Sequence, residues 1–373
     1  MNIKARKESK HETIVSKICI QHAAFAGIKE ELEYALDSVN EEGNPVCLLI
    51  TGESRTGKSK VVREVLDGRM HDDDGGSVVY AIAPPKATTK SLLESLLQGL
   101  GDPYWNRGSE SSMTQRLYTM LRNVKCRMII LDEFQHLCDK GQRKQLAILS
   151  DWIKVLVERA PWGLVAVGMP ESASIVHCHP QLKTRFQPEL RMPIFDWTQA
   201  PSRTQYKGIL KQFRLHMAPF ELPQIESQEM ALRMYLATAG RIGLVARLLN
   251  RAVEDAVRQH RKTICLEDLQ AAYSKTIWGA STFPVRDGPF LAAITALEGT
   301  NVMASVMRIA ASESVADTSA SVEVHGMAKE TDPQIQEGSD HRRRAGRPAT
   351  KRPASRRAPS LTAKQRRELG RAL

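Results

Sequence analysis

Apolar residues arrive along this chain in two rhythms. Unbroken runs over 45–51, 77–83, 127–131 and 162–167, with a shorter one over 189–195, predict buried strands. Between them, apolar positions recur every three or four residues over 60–66, 88–100, 113–123 and 142–158, which predicts helices. Thr88 reads as a helix cap and Gly101 as a helix stop, while the Asp-Gly run at 72–76 reads as a turn. Strands separated by helices predict an α/β fold, a five-stranded parallel sheet with helices on both faces. Such sheets bind ligands beyond the C-terminal ends of their strands. Ahead of the first strand, Ile14, Ile18, Ala24, Ile28, Leu32, Ala35, Leu36 and Val39 predict one or two amphipathic helices. After Asp196 the strand rhythm stops. Stretches 203–218, 226–239, 241–260 and 266–276 predict a small helical domain, and 281–312 adds one or two short helices around Pro289-Phe290. The chain thus divides at 1–44, 45–196, 197–312, 313–340 and 341–373.

Charge changes the picture at one end. The last 33 residues carry twelve Lys and Arg against Glu368, a net +11 that equals the charge of the whole chain. Residues 1–340 are therefore neutral, and basicity is a local device. Residues 313–340 are rich in Ser, Ala and acids, carry seven acids against Lys329, and predict a disordered acidic linker. No apolar run is long enough to span a membrane, and the first residues lack the apolar core of a signal peptide, which predicts a cytoplasmic chain. The six cysteines (19, 47, 126, 138, 178, 265) are scattered without a C-x-x-C pair and predict reduced core thiols. His177-Cys178-His179 is too tightly spaced for a closed metal site.

The candidate chemistry begins at Gly52, Glu53, Ser54, Arg55, Thr56, Gly57, Lys58 and Ser59, a complete G-x-x-x-x-G-K-[ST] loop between a predicted strand and a predicted helix. Its glycines let backbone N–H groups turn inward around phosphates, and the helix N-terminus adds a positive dipole end. Lys58 is placed to bridge the β- and γ-phosphates, and the Ser59 hydroxyl to ligate Mg²⁺. Farther on, the run 128–131 ends in Asp132 and Glu133. Asp132 is placed to hold Mg²⁺ directly or through water; Glu133 can act as general base toward an attacking water. Gln135 and His136 either orient that water, sense the nucleotide, or begin the next helix or loop. Arg185, before the last strand, reads as a trans arginine finger or a surface salt bridge. Arg241, opening a helix of the second domain, reads as an arginine folding back over the nucleotide or a plain helix-start residue.

These residues together carry a resemblance. The phosphate loop, the run 129–133 (Ile-Ile-Leu-Asp-Glu), Leu182-Lys183-Thr184-Arg185-Phe186 and Gly240-Arg241 resemble the AAA+ ATPases. The helix ahead of the loop, the stretch 167–171 and Gly288-Pro289-Phe290 resemble, within them, the TniB/TnsC group of transposition proteins, which are similar in role to the phage MuB target-selection ATPase. The resemblance spans about residues 12–300. It implies an ATPase core over 45–196 behind an N-terminal helical segment, with a helical lid over 197–312. It implies a bacterial, nucleoid-associated protein that oligomerises as a ring or filament on double-stranded DNA, hydrolyses ATP with Mg²⁺, and links a target-selection protein to a transposase. It implies that Lys58, Ser59 and Asp132 hold Mg·ATP, that Glu133 supports hydrolysis, that Arg185 is the trans finger and that Arg241 is the lid sensor. One departure stands out. The family places a polar sensor at the end of the fourth strand, where this chain has Val167-Gly168-Met169-Pro170; Ser172 or Glu171 could substitute. Two alternatives stay open: an ATP-binding switch that scarcely turns over, and a loader in replication or secretion.

Contact of the neutral body with DNA requires local patches. Arg107, Arg116, Arg122, Lys125 and Arg127 cluster between the second and third strands and are candidates, repeated through an oligomer. In the tail, Arg342, Arg343, Arg344 and Arg347, with Lys351 and Arg352, resemble a partial AT-hook or an unspecific basic arm.

Overall fold

A computed structural model describes residues 15, 18–38, 46–69, 77–137, 143–158, 161–178, 180–278, 283–299 and 301–311. Contacts divide the chain into two units, Met1–Met327 and Ala328–Leu373. The second unit lies outside the described residues, as do the expected linker, the tail residues Arg342 to Arg352, and the turn at 72–76.

In the first unit, helix α1 (Ala23–Asp37) precedes strand β1 (Cys47–Thr51), and α2 (Lys58–Arg69) leads to β2 (Ser77–Ile82). Helices α3 (Thr89–Gly99) and α4 (Glu110–Asn123) precede β3 (Cys126–Asp132). Then come a 3₁₀ turn (Phe134–Leu137), α5 (Arg143–Glu158), β4 (Gly163–Gly168), α6 (Ser172–Cys178), α7 (Pro180–Lys183) and β5 (Leu190–Arg191). All pairings are parallel, in the order β2-β3-β4-β1-β5. The apolar runs form strands because both faces are covered, so no polar alternation is needed. Leu48 and Ile50 of β1 face α1 and α2; Cys47 and Leu49 face the core shared with α3, α4 and α5. Thr88 caps α3 by accepting from Ser91 N at 3.1 Å, and Gly101 closes the turn after it at φ +75°.

The structure differs from expectation at several places. The last strand is two residues long rather than 189–195, because β1 gives way to the phosphate loop after Thr51. Met192 N still reaches Thr51 O at 2.7 Å, but Phe195 N donates to Gly240 O in the helical domain at 3.1 Å. Helices α6 and α7 fill the stretch between β4 and β5, for which the pattern predicts no element. Helix α4 begins three residues early, at the Ser109 cap. Cys47 and Cys126 are buried thiols, pushed by burial to about 11 and about 12, whereas Cys178 and Cys265 are exposed rather than in the core.

The helical part comprises α8 (Ala200–His216), α9 (Gln228–Thr238), α10 (Ile242–Arg258), α11 (Leu266–Thr276), α12 (Gly288–Leu291), α13 (Ile294–Leu297) and α14 (301–311). Three short helices after α11, not one or two, complete it. Tyr206, Tyr235, Tyr273 and Phe290 fill its core. Buried Arg233 ties the end to α9, donating to the carbonyls of Pro289, Phe290 and Ala292 at 3.0, 3.1 and 2.8 Å. Gly240 joins the two parts: its φ is +70°, and a β-carbon there would lie 2.2 Å from Phe195 O. Among the described residues, no helix is long and apolar enough to cross a membrane.

Candidate functional site

The phosphate loop leaves the C-terminal end of β1, between β4 and the short edge strand β5. Gly52 N donates to Gly168 O at 3.2 Å, and a β-carbon on Gly52 would strike Met192 O at 2.5 Å. Arg55 at φ +60° and Gly57 at φ +112° make the reversal that starts α2. Buried Thr56 donates to Glu53 O at 2.8 Å and stiffens the bend. Lys58 points into its own loop, Nζ donating to Gly52 O at 2.7 Å and Glu53 O at 2.8 Å. Burial holds its ammonium below the ordinary lysine range, opposed by the charges of Glu133, Asp132 and Glu53. A lysine held in that way is improved by a polyphosphate, which supplies the missing negative charge.

The second strand of the site is β3. Ser59 Oγ donates to Asp132 Oδ2 at 2.9 Å, and Tyr80 OH from β2 donates to the same oxygen at 2.6 Å. Burial, then the Asp132 carboxylate, pushes the Tyr80 phenol well above its usual range, so it stays a donor. A hydroxyl and a carboxylate in contact are the hard-oxygen donor set that Mg²⁺ takes in this kind of site. Glu133 follows at φ +56° with its N–H on Asp132 Oδ1 at 2.8 Å, and its side chain is exposed. A cleft of about 420 Å³ opens beside it, lined by Tyr80, Ile82, Pro84, Gln98 and His136 among others.

The helical part closes on the loop. Gly243 N donates to Arg55 O at 2.8 Å. Arg241 is buried, with its guanidinium 3.9 Å from the Glu53 carboxylate, 3.1 Å from Ala310 O and over the Trp278 ring. The structure thus brings Gly52 to Ser59, Asp132, Glu133 and Arg241 together. It does not bring Arg185 to them: that side chain is exposed beyond α7, next to Phe186, which bridges to Cys47 at the sheet edge. Gln135, for which the sequence left three roles open, lies in the 3₁₀ turn with its side chain buried between Glu133 and Met169. The bare strand end at Gly168 was the available signal.

The candidate DNA residues separate. Arg116 is committed to its own loop, pairing with buried Asp102 at 2.6 Å and donating to the carbonyls of Tyr104 and Arg107. Arg107 and Lys125 are exposed, Arg107 over the Tyr104 ring. Among the described residues no cluster of three or more metal-ligating side chains occurs.

The sequence profile of a family described as "Bacterial TniB protein" matches residues 10–198. No curated protein matches the chain. Among solved structures, Aeropyrum pernix ORC2, with ADPNP and ADP, is similar at TM-score 0.54 and 16% identity, over 71% of this chain and 72% of that one. Aeropyrum pernix ORC1 in complex with DNA is similar at 0.53 and 21%, over 69% and 67%. Cdc6p from Pyrobaculum aerophilum is similar at 0.54 and 17%, over 71% of each. At these identities the likeness is one of fold, the AAA+ P-loop fold that the sequence resembled.

Proposed function

The chain belongs to the bacterial TniB family, and from that premise we propose that it hydrolyses ATP as an oligomer on double-stranded DNA and there couples target selection to a transposase. The observation that carries this reading is the contact of Ser59 with Asp132, beside Lys58 and one residue before an exposed Glu133. Lys58 and the loop N–H groups would hold the phosphates of ATP; Ser59 and Asp132 would hold Mg²⁺. The metal, when bound, supplies charge neutralisation at the transferred phosphoryl. Tyr80 keeps one Asp132 oxygen oriented. Glu133 takes the proton of the attacking water. Arg241 couples the lid, residues 197–312, to the phosphate loop through Glu53. Arg185, exposed and without an ion-pair partner among the described residues, reaches the nucleotide of a neighbouring subunit. The site is then complete only between subunits, which makes turnover depend on assembly.

Arg107 and Lys125, repeated through an oligomer, and the basic arm 341–373 beyond an acidic linker supply the contact with phosphates. ATP binding favours assembly and hydrolysis releases it. The test is electron microscopy of the full chain with duplex DNA, with and without a non-hydrolysable ATP analogue. Rings or filaments only with the analogue support the reading. Monomers in both conditions contradict it.

A further inference from the structure

We propose that Gln135 is the positioning residue for Glu133 and takes the place of the polar side chain that the end of β4 lacks. The inference rests on the hydrolase reading above. Gln135 stands in the 3₁₀ turn just after β3 and is 9% exposed. Its Oε1 accepts from Met169 N at 2.9 Å, the first N–H beyond β4, and its Nε2 donates to Glu133 Oε2. The amide has one orientation. A backbone N–H can only donate, so Oε1 must face Met169, which turns the NH₂ group toward the carboxylate. The side chain is therefore a strut between the base and the neighbouring strand.

The strand end is shaped to receive it. A β-carbon on Gly168 would lie 2.6 Å from Gln135 Oε1 and 2.2 Å from the buried Ser172 Oγ. No side chain fits at 168 because the Gln135 amide and the Ser172 hydroxyl occupy that place. Glu133 leaves β3 in the left-handed backbone region, at φ +56°, so its carboxylate is not aimed by strand geometry alone. The Gln135 amide holds one carboxylate oxygen and leaves the other for the water. Of the remaining titratable groups near Glu133, Lys58, Asp132 and Tyr80 surround the metal side, and His136 lines the cleft on the other.

The test is steady-state ATP hydrolysis by the full chain with duplex DNA, alongside ADP affinity by calorimetry, for wild type, Glu133→Gln, Gln135→Leu and Gln135→Glu. Gln135→Leu keeps the volume and loses both hydrogen bonds. It should lower kcat by about 100-fold, the lower end of what a placed general base contributes, with ADP affinity within about twofold. Gln135→Glu keeps an acceptor for Met169 N and replaces the donor to Glu133 with a carboxylate oxygen, which repels it. It should lower kcat by about 100-fold as well, with ADP affinity again within about twofold. A Gln135→Leu variant with wild-type kcat overturns the proposal, as does a loss of kcat matched by an equal loss of ADP affinity. If Gln135→Leu fails to fold, the isosteric Gln135→Glu decides: a wild-type kcat overturns the proposal. Wild-type turnover in Glu133→Gln would instead overturn Glu133 as the base, and a wild type without turnover would overturn the hydrolase reading itself.

Discussion

Beside the Arg241–Glu53 pair, the lid meets the phosphate loop at a glycine. A β-carbon on Gly243 would lie 2.5 Å from Arg55 O, 3.1 Å from Arg55 C and 3.2 Å from Arg55 Cα. These are backbone atoms, so no rotamer change relieves the overlap. Carbon contacts settle near 3.5–4.0 Å, so in Gly243→Ala the start of α10 must retreat by roughly 1 Å. That retreat stretches the 2.8 Å bond from Gly243 N to Arg55 O beyond hydrogen-bond length. Overpacking costs about 1–3 kcal/mol and the lost bond about 0.5–1.5, together about 1.5–4.5 kcal/mol. Because Arg55 belongs to the phosphate loop, the cost falls on nucleotide binding, and the Kd for ADP should rise by about tenfold or more. Gly208→Ala in α8 is the matched control. Its β-carbon meets nothing within 4 Å, and an alanine in a helix interior is favoured over glycine by about 0.5–1 kcal/mol. Calorimetry with ADP and thermal melts of both variants measure the difference. Wild-type ADP affinity in Gly243→Ala would refute the lid–loop contact as the means by which the helical part serves the site.

Three more outcomes are expected. Deleting residues 341–373 should leave ATP hydrolysis intact and flatten the log–log salt dependence of DNA affinity, by about 5 if half the arm's charges meet phosphates; an unchanged slope in fluorescence anisotropy contradicts the arm's role. Burial lowers Lys58, and phosphates would raise it. Nucleotide binding should therefore take up a proton in the pH window between the lowered value set by burial and the higher one set by the phosphates. Calorimetry in buffers of different ionisation enthalpy reads this, and Lys58→Arg should abolish it. Arg233→Ala leaves three carbonyls and the Glu229 pair without their buried donor. It should destabilise the lid by about 2–4 kcal/mol in urea unfolding, and a change under 1 would show that the tether is not needed.

Much of this was legible in the sequence, for a physical reason. A sheet covered on both faces writes itself as unbroken apolar runs, so β1, β3 and β4 stood out, and the phosphate loop needs its residues in one short stretch. The rest depends on contacts between distant residues. Gln135 acquires its meaning from Met169, and Arg116 loses its free charge to Asp102; neither pairing has a local signature. Helices α6 and α7 are short and carry few apolar residues, although Pro180 at a helix start was a usable sign. The last strand is short because its partner turns into a functional loop, which apolar pattern cannot record. Cys178 and Cys265 sit on helix faces or caps that the pattern did not assign to solvent.

The most direct test of the shared site mixes two inactive proteins. Glu133→Gln keeps the arginine and lacks the base; Arg185→Ala keeps the base and lacks the arginine. On duplex DNA each alone should hydrolyse ATP at a small fraction of the wild-type rate. An equal mixture should recover about a quarter of that rate, the share of random interfaces that join an intact Glu133 to a neighbour's intact Arg185. A mixture no more active than its parts, or an Arg185→Ala protein as active as wild type, would contradict a site completed across subunits.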